Sequence, residues 1–154
     1  FKLNGVEGNF INLESTLWSR EDLKLLRDLG EDDLKNPDYA VIESDNWIKN
    51  TEGAVKFCKN NSLNYKMIPS MSDRKQFLSR LASYSTLVFF PVARESCCRL
   101  VIEARCLNMN VITSKNYGAV LEDWFTKRGT DLINFLENNT SRGLAMIEES
   151  IYED

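Results

Sequence analysis

TLVFFPVARESCCRLVIEA, residues 86–104, decides the fold. Thr86–Phe90 is a short β-branched and aromatic run with no polar alternation, the pattern of a strand covered on both faces. Pro91 closes the run, and from Cys98 to Leu107 the spacing becomes helical, with Leu100, Ala104 and Leu107 on one arc. A buried strand that passes through a loop into a helix is the half-unit of a parallel sheet. The loop lies at the carboxyl end of that sheet, where the unpaired N–H groups opening a helix face solvent and suit an anion.

The same alternation extends outward in both directions. Tyr39–Ile42, Tyr65–Ile68 and Asn110–Thr113 are further apolar runs. Between them, Asn50–Asn60 predicts a helix capped by Thr51, and Asp73–Ser83 predicts another with Phe77, Leu78, Leu81 and Tyr84 on one face. A fourth helix is expected over Thr130–Asn138. The fold class is therefore α/β, a Rossmann-like three-layer α/β/α arrangement around a parallel sheet. Before this core, Phe10, Ile11 and Leu13 suggest a strand. Ser19 caps a helix bearing Leu23, Leu26 and Leu29, Gly30 ends it, and Glu31-Asp32-Asp33 with Pro37 marks a loop. After it, residues 138–143 (NNTSRG) read as a turn before a closing helix of Leu144, Met146, Ile147 and Ile151. The 154 residues fit one domain: an extension over 1–38, a core over 39–125 and closing helices over 126–154.

Composition narrows the chemistry. With 43% hydrophobic and 27% charged residues the chain reads as a soluble globule, without a run apolar enough to span a membrane. Phe1-Lys2-Leu3-Asn4-Gly5 does not resemble a signal peptide, and the chain reads as a segment of something longer. A net charge of −4 offers no broad field to nucleic acid. Cys58, Cys97, Cys98 and Cys106 lack metal-ligand or disulfide spacing, so reduced thiols in the cytoplasm are expected. The absence of histidine excludes imidazole bases and the usual zinc sites. Carboxylates, lysines, arginines and backbone dipoles remain.

Glu103 falls inside the apolar arc of its helix, where a carboxylate is costly unless something binds it. One reading pairs it with Arg99, one turn earlier, at a partly solvated edge. Another takes it together with Glu95, eight positions before, as two carboxylates facing one cleft. Lys49 reads as an exposed lysine at a helix start, and Arg94 as a solvated arginine. Trp47, Trp124 and Phe125 read as packing groups.

These residues resemble the donor site of retaining GT-B glycosyltransferases. ESCCRLVIEA holds two glutamates separated by seven residues, followed by Ala104, the strand Val111-Ile112, the loop Tyr117-Gly118 and the acid Glu122. Upstream, Tyr39–Ile42 with Trp47-Ile48-Lys49-Asn50 is similar to the first strand of that half and its Lys-Gly pair, with Asn50 where glycine is usual. The usual glycine between the glutamates is replaced by Ser96-Cys97-Cys98-Arg99, and one usual strand is missing between Asn60 and Tyr65. The resemblance covers roughly residues 39–125. It implies that Glu103 holds the ribose hydroxyls of a nucleoside-diphosphate sugar, that Glu95 contacts the transferred sugar and that Lys49 faces the diphosphate. Ser96, Cys97, Cys98, Arg99, Tyr117 and Gly118 would line the donor site. It further implies sugar transfer to a hydroxyl of a sugar, lipid or protein with retention, no metal or other cofactor, and an acceptor-binding half that precedes this one. Two other readings stand beside it: a non-catalytic domain of the same fold binding a nucleotide or a protein, and a receiver-like signalling domain. The last is disfavoured because Thr86–Phe90 ends in Pro91 and supplies no aspartate.

Overall fold

In a computed structural model, residues 5, 13, 15–31, 34–93, 97–115 and 118–152 are described. The helix α1 (Arg20–Gly30) precedes β1 (Asn36–Ile42), α2 (Thr51–Asn60), β2 (Tyr65–Ile68), α3 (Arg74–Ala82), β3 (Tyr84–Phe89), α4 (Arg99–Cys106), β4 (Asn110–Thr113) and α5 (Gly129–Tyr152). Short 3-10 turns occupy Trp47–Lys49, Gly118–Leu121 and Asp123–Thr126. The strands form one wholly parallel sheet in the order β2-β1-β3-β4. The fold is α/β and Rossmann-like, as the alternation of runs implies. No helix among the described residues is long and apolar enough to cross a membrane.

Strand order fixes which helix covers which face. The chain steps from β1 outward to β2 and then returns across β1 to β3. With crossovers of constant hand, this reversal places α2 on one face and α3 and α4 on the other. The buried side chains agree: Val41 and Val88 pack with Ala54 and Cys58 of α2, while Ala40, Ile42, Leu87 and Phe89 join Leu78, Leu81, Ile102 and Ala104. The second cluster also takes in Leu23 and Leu26 of α1 and Leu132, Ile133 and Leu136 of α5, so these two helices form an outer part of the same core.

Several local expectations change. Asn50, not Thr51, caps α2: its Oδ1 accepts from the Gly53 N–H at 3.2 Å, and its backbone is left-handed, φ 51°. Thr51 instead ties back to β1, donating to the Ile42 carbonyl at 2.9 Å and accepting from the Ser44 N–H at 3.2 Å. Pro37 lies inside β1, not in a loop. The β1–β3 register is irregular between Asn36 and Tyr39, so the missing N–H of Pro37 falls where the ladder is broken. Residues 138–143 do not turn; they run through the middle of α5. Their turn-forming side chains find partners elsewhere. Asn139 donates to the Leu13 carbonyl at 2.6 Å, Thr140 Oγ1 accepts from the Trp18 N–H at 3.1 Å, and Gly143 admits Leu13 and Leu17 at close range. Lastly, Trp47 is 76% exposed and is no packing group, whereas Trp124 is buried and stacks on Phe135 at 5.5 Å. Of the strand suggested near Phe10, Ile11 and Leu13, the first two lie outside the described residues and Leu13 is not in a strand.

The cap at Asn50 leads to a prediction at Gly53. Glycine to alanine inside a helix ordinarily gains about 1 kcal/mol. Here an added Cβ would overlap the Asn50 amide, whose Cγ and Oδ1 would lie 2.7 Å away, and that amide is locked by its bonds to Gly53 N–H and the Phe90 carbonyl. Gly53→Ala is therefore expected to lower stability by ~1–3 kcal/mol in urea unfolding; a stabilised variant would mean that Asn50 is free to move.

Candidate functional site

The reversal in strand order opens a crevice at the carboxyl ends of β1 and β3. On the α2 face it is bridged, because Asn50 Nδ2 donates to the Phe90 carbonyl at 2.8 Å and the Val92 N–H to the Ile48 carbonyl at 3.0 Å. On the face of α3 and α4 it stays open as a cleft of about 290 Å3. Glu43, Ser44, Lys49, Ser70 and Glu103 supply its polar lining, and Ile42, Phe77 and Leu100 supply apolar wall.

Lys49 ends the 3-10 turn that follows β1. Its Nζ lies 5.7 Å from the centre of the Phe89 ring and makes no hydrogen bond or ion pair with the described residues. Glu103, in the second turn of α4, is 6% exposed. Its Oε1 accepts from Arg74 Nη2 at 2.7 Å and from Arg99 Nε at 3.1 Å, while Oε2 has no hydrogen-bond partner among the described residues and keeps contact with solvent. The same two guanidinium groups reach Asp22 of α1, Arg74 through Nη1 to Oδ1 and Arg99 through Nη2 to Oδ2 at 2.6 Å. Two arginines thus bridge two carboxylates. Asp22 uses both of its oxygens and Glu103 only one.

The charges in this ring balance, which limits the cost of burying Glu103. Partial burial works against the charge of Asp22, but the hydrogen bonds and charge of Arg99 and Arg74 outweigh it and hold its carboxyl below the ordinary value. Burial likewise disfavours the charged form of Arg74, and Glu103 and Asp22 overcome it, raising its pKa. Arg99 also lies over the Trp18 ring at 4.6 Å, so its guanidinium is turned to α1.

The remaining sequence candidates separate. Cys98 is the N-cap of α4 and is buried without a side-chain capping bond; Cys97 is half-buried, with Sγ 4.0 Å from Thr16 Oγ1. Gly118 opens the 3-10 turn after β4 and does not line the cleft. Arg94, Glu95, Ser96 and Tyr117 lie outside the described residues. Burial, reinforced by Glu103, pushes the Cys106 thiol up to about 12, and burial also raises Cys58, so neither is a nucleophile at neutral pH. No group of His, Cys, Asp or Glu among the described residues is arranged to hold a metal ion.

The chain matches no protein-family model, no curated protein and no solved structure. Its site is therefore read from its own geometry. Arg74 and Asp22 are the residues that sequence reasoning missed. Arg74 opens α3 and Asp22 sits in the first turn of α1, positions that mark a helix start and nothing about each other.

Asp22 gives a pH prediction. A carboxylate with a depressed folded-state pKa contributes stability that is fully present above its unfolded value, near 3.8, and is lost as pH falls through the folded value. The stability difference between the wild type and Asp22→Asn, from urea midpoints between about pH 6 and about pH 2, should shrink toward zero in acid. A constant difference would show that the charge of Asp22 does not hold the ring.

Proposed function

We propose that the cleft binds a nucleoside-diphosphate sugar, and that the chain is the donor-binding half of a retaining GT-B glycosyltransferase. The observation that carries this reading is the state of Glu103: a buried carboxylate anchored through one oxygen, with the other unengaged, in a cleft that also holds the unpaired Lys49. A carboxylate fixed in this way is preorganised to accept two adjacent hydroxyls, as a ribose presents. Lys49 and the first turn of α4 would meet the diphosphate and offset the charge that develops on it as the glycosidic bond breaks. Asn50 fits the same reading, since its left-handed backbone is one that glycine and asparagine adopt most readily. The resemblance would set Glu95, which lies outside the described residues, beside the transferred sugar.

The cleft's about 290 Å3 is at the lower bound of the roughly 300–1,000 Å3 typical of small-ligand sites. A whole nucleotide sugar would project beyond it, toward an acceptor half carried elsewhere. Trp47, Val92 and Leu121, exposed in the segments that follow β1, β3 and β4, offer apolar surface at the carboxyl end of the sheet. A donor of this kind and four cysteines outside any disulfide suit the cytoplasm and a role in glycan biosynthesis.

One observation favours a second reading, a non-catalytic nucleotide- or protein-binding domain. Arg99 is engaged by Asp22, Glu103 and Trp18, which leaves Lys49 as the single cation among the described residues lining the cleft.

Calorimetric titration with UDP, GDP and ADP tests both. Saturable binding of one nucleotide is expected, with affinity reduced about tenfold or more in Lys49→Ala and lost in Glu103→Ala. Because Glu103→Ala also removes an ion-pair partner, Glu103→Gln and a thermal scan accompany it. Folded variants that bind as the wild type does, or a wild type that binds none of the three, would remove the donor-site reading.

A further inference from the structure

Beside the cleft and sharing Ser44 with it, a second cavity of about 390 Å3 lies against the first turn of α2, lined by residues 44–47 and 50–52. It has three properties that belong together. The first is a rigid aromatic face. Trp47 is 76% exposed, yet its turn is held on both sides: Asn46 Oδ1 accepts from the Ile48 N–H at 3.0 Å, Asn50 Nδ2 donates to the Phe90 carbonyl, and the Ile48 carbonyl accepts from the Val92 N–H. An exposed indole on so constrained a backbone loses little freedom when a ligand stacks on it.

The second is charge of one sign. Asp45 and Glu52 line the cavity, both exposed, and neither makes an ion pair or a side-chain hydrogen bond with the described residues, while no cation lines it. The neighbouring Lys49 directs its ammonium across the Phe89 ring, in the cleft and not here. The third is the state of the neutral groups. Asn46 Oδ1, Asn50 Oδ1 and Thr51 Oγ1 each already accept one backbone N–H, whereas the carboxylates of Asp45 and Glu52 accept no hydrogen bond from the described residues.

We infer that this cavity takes an arginine side chain from a partner protein, its guanidinium lying on the Trp47 indole and donating to Asp45 and Glu52. A planar, weakly hydrated cation with N–H groups in a fork matches an aromatic face flanked by carboxylates; an ammonium lacks the plane, and a neutral sugar gains nothing from the charge. The inference does not depend on nucleotide binding in the adjacent cleft.

The three tryptophans make the test site-specific, because Trp18 and Trp124 are buried and only Trp47 meets solvent. The indole N–H resonances of the isotope-labelled chain would be followed during titration with N-acetylarginine amide, with its uncharged citrulline counterpart and with methyl glucoside. The Trp47 resonance alone is expected to shift saturably with the arginine compound. The Asp45→Asn/Glu52→Gln double variant should bind it at least about threefold more weakly, with the Trp18 and Trp124 resonances unmoved as a check on folding. An equal response to citrulline would reduce the cavity to a stacking surface, an equal or larger response to the glucoside would make it a sugar site, and no response to arginine would leave no cation site. Each of these overturns the inference.

Discussion

The pairing of β1 with β3 is the contact on which the rest of the structure depends. These strands are separated in the chain by a helix, a strand and a second helix, yet they lie side by side at the centre of the sheet. Ala40, Val41, Leu87 and Val88 are wholly buried there, alternate residues facing opposite helical layers. Burying them on both faces requires helices on both faces, and the return across β1 is what distributes those helices. The same return separates the loops that follow β1 and β3, and the candidate cleft is the space between them. Its position follows from the strand order before any side chain is considered.

On the face that carries the cleft, α3 and α4 are fastened at both ends. At the carboxyl end of the sheet, Arg74 and Arg99 bridge Asp22 and Glu103, joining α1, α3 and α4. At the other end Lys35 Nζ donates to the carbonyls of Ala82 and Leu107 at 2.8 and 2.9 Å, meeting the unpaired carbonyl groups with which α3 and α4 close. The arginines are 39% and 48% exposed, and pairs so open to water contribute only about 0–1 kcal/mol each. Glu103 is different, because its carboxylate is buried. The ring adds little net stability when intact, but removing a cation from it leaves a buried charge short of a partner. Geometry, more than stability, is what the ring confers.

The four strands and five helices were legible because their signals are local. Apolar runs, Ser19 as a cap and Gly30 as a stop each need only a few neighbouring residues to be read. The errors have the opposite character. Residues 138–143 carry turn chemistry, but Asn139, Thr140 and Gly143 answer to Leu13, Leu17 and Trp18, more than a hundred positions away. Trp47 reads as core by composition and is excluded from it by a turn tied to Phe90 and Val92. Within the site, the pairing of Glu103 with Arg99 was visible as a four-residue helical spacing. Arg74 and Asp22 were not, since no periodicity links α3, α1 and α4; only the packed helices bring them together.

A purely structural reason for the buried Glu103 would be complete if its carboxylate were saturated. Asp22 accepts one arginine on each oxygen. Glu103 receives both of its arginines on Oε1, although two cations and two oxygens were available for the same arrangement. The ring therefore fixes the orientation of Glu103 without exhausting its capacity to accept hydrogen bonds. That oxygen is not sealed from solvent, so water can donate to it, and a ligand hydroxyl would take the place of that water. The cleft is where such a donor would enter, and hydroxyl groups, which give protons without bringing a charge that would compete with Arg74 and Arg99, suit it better than another cation would.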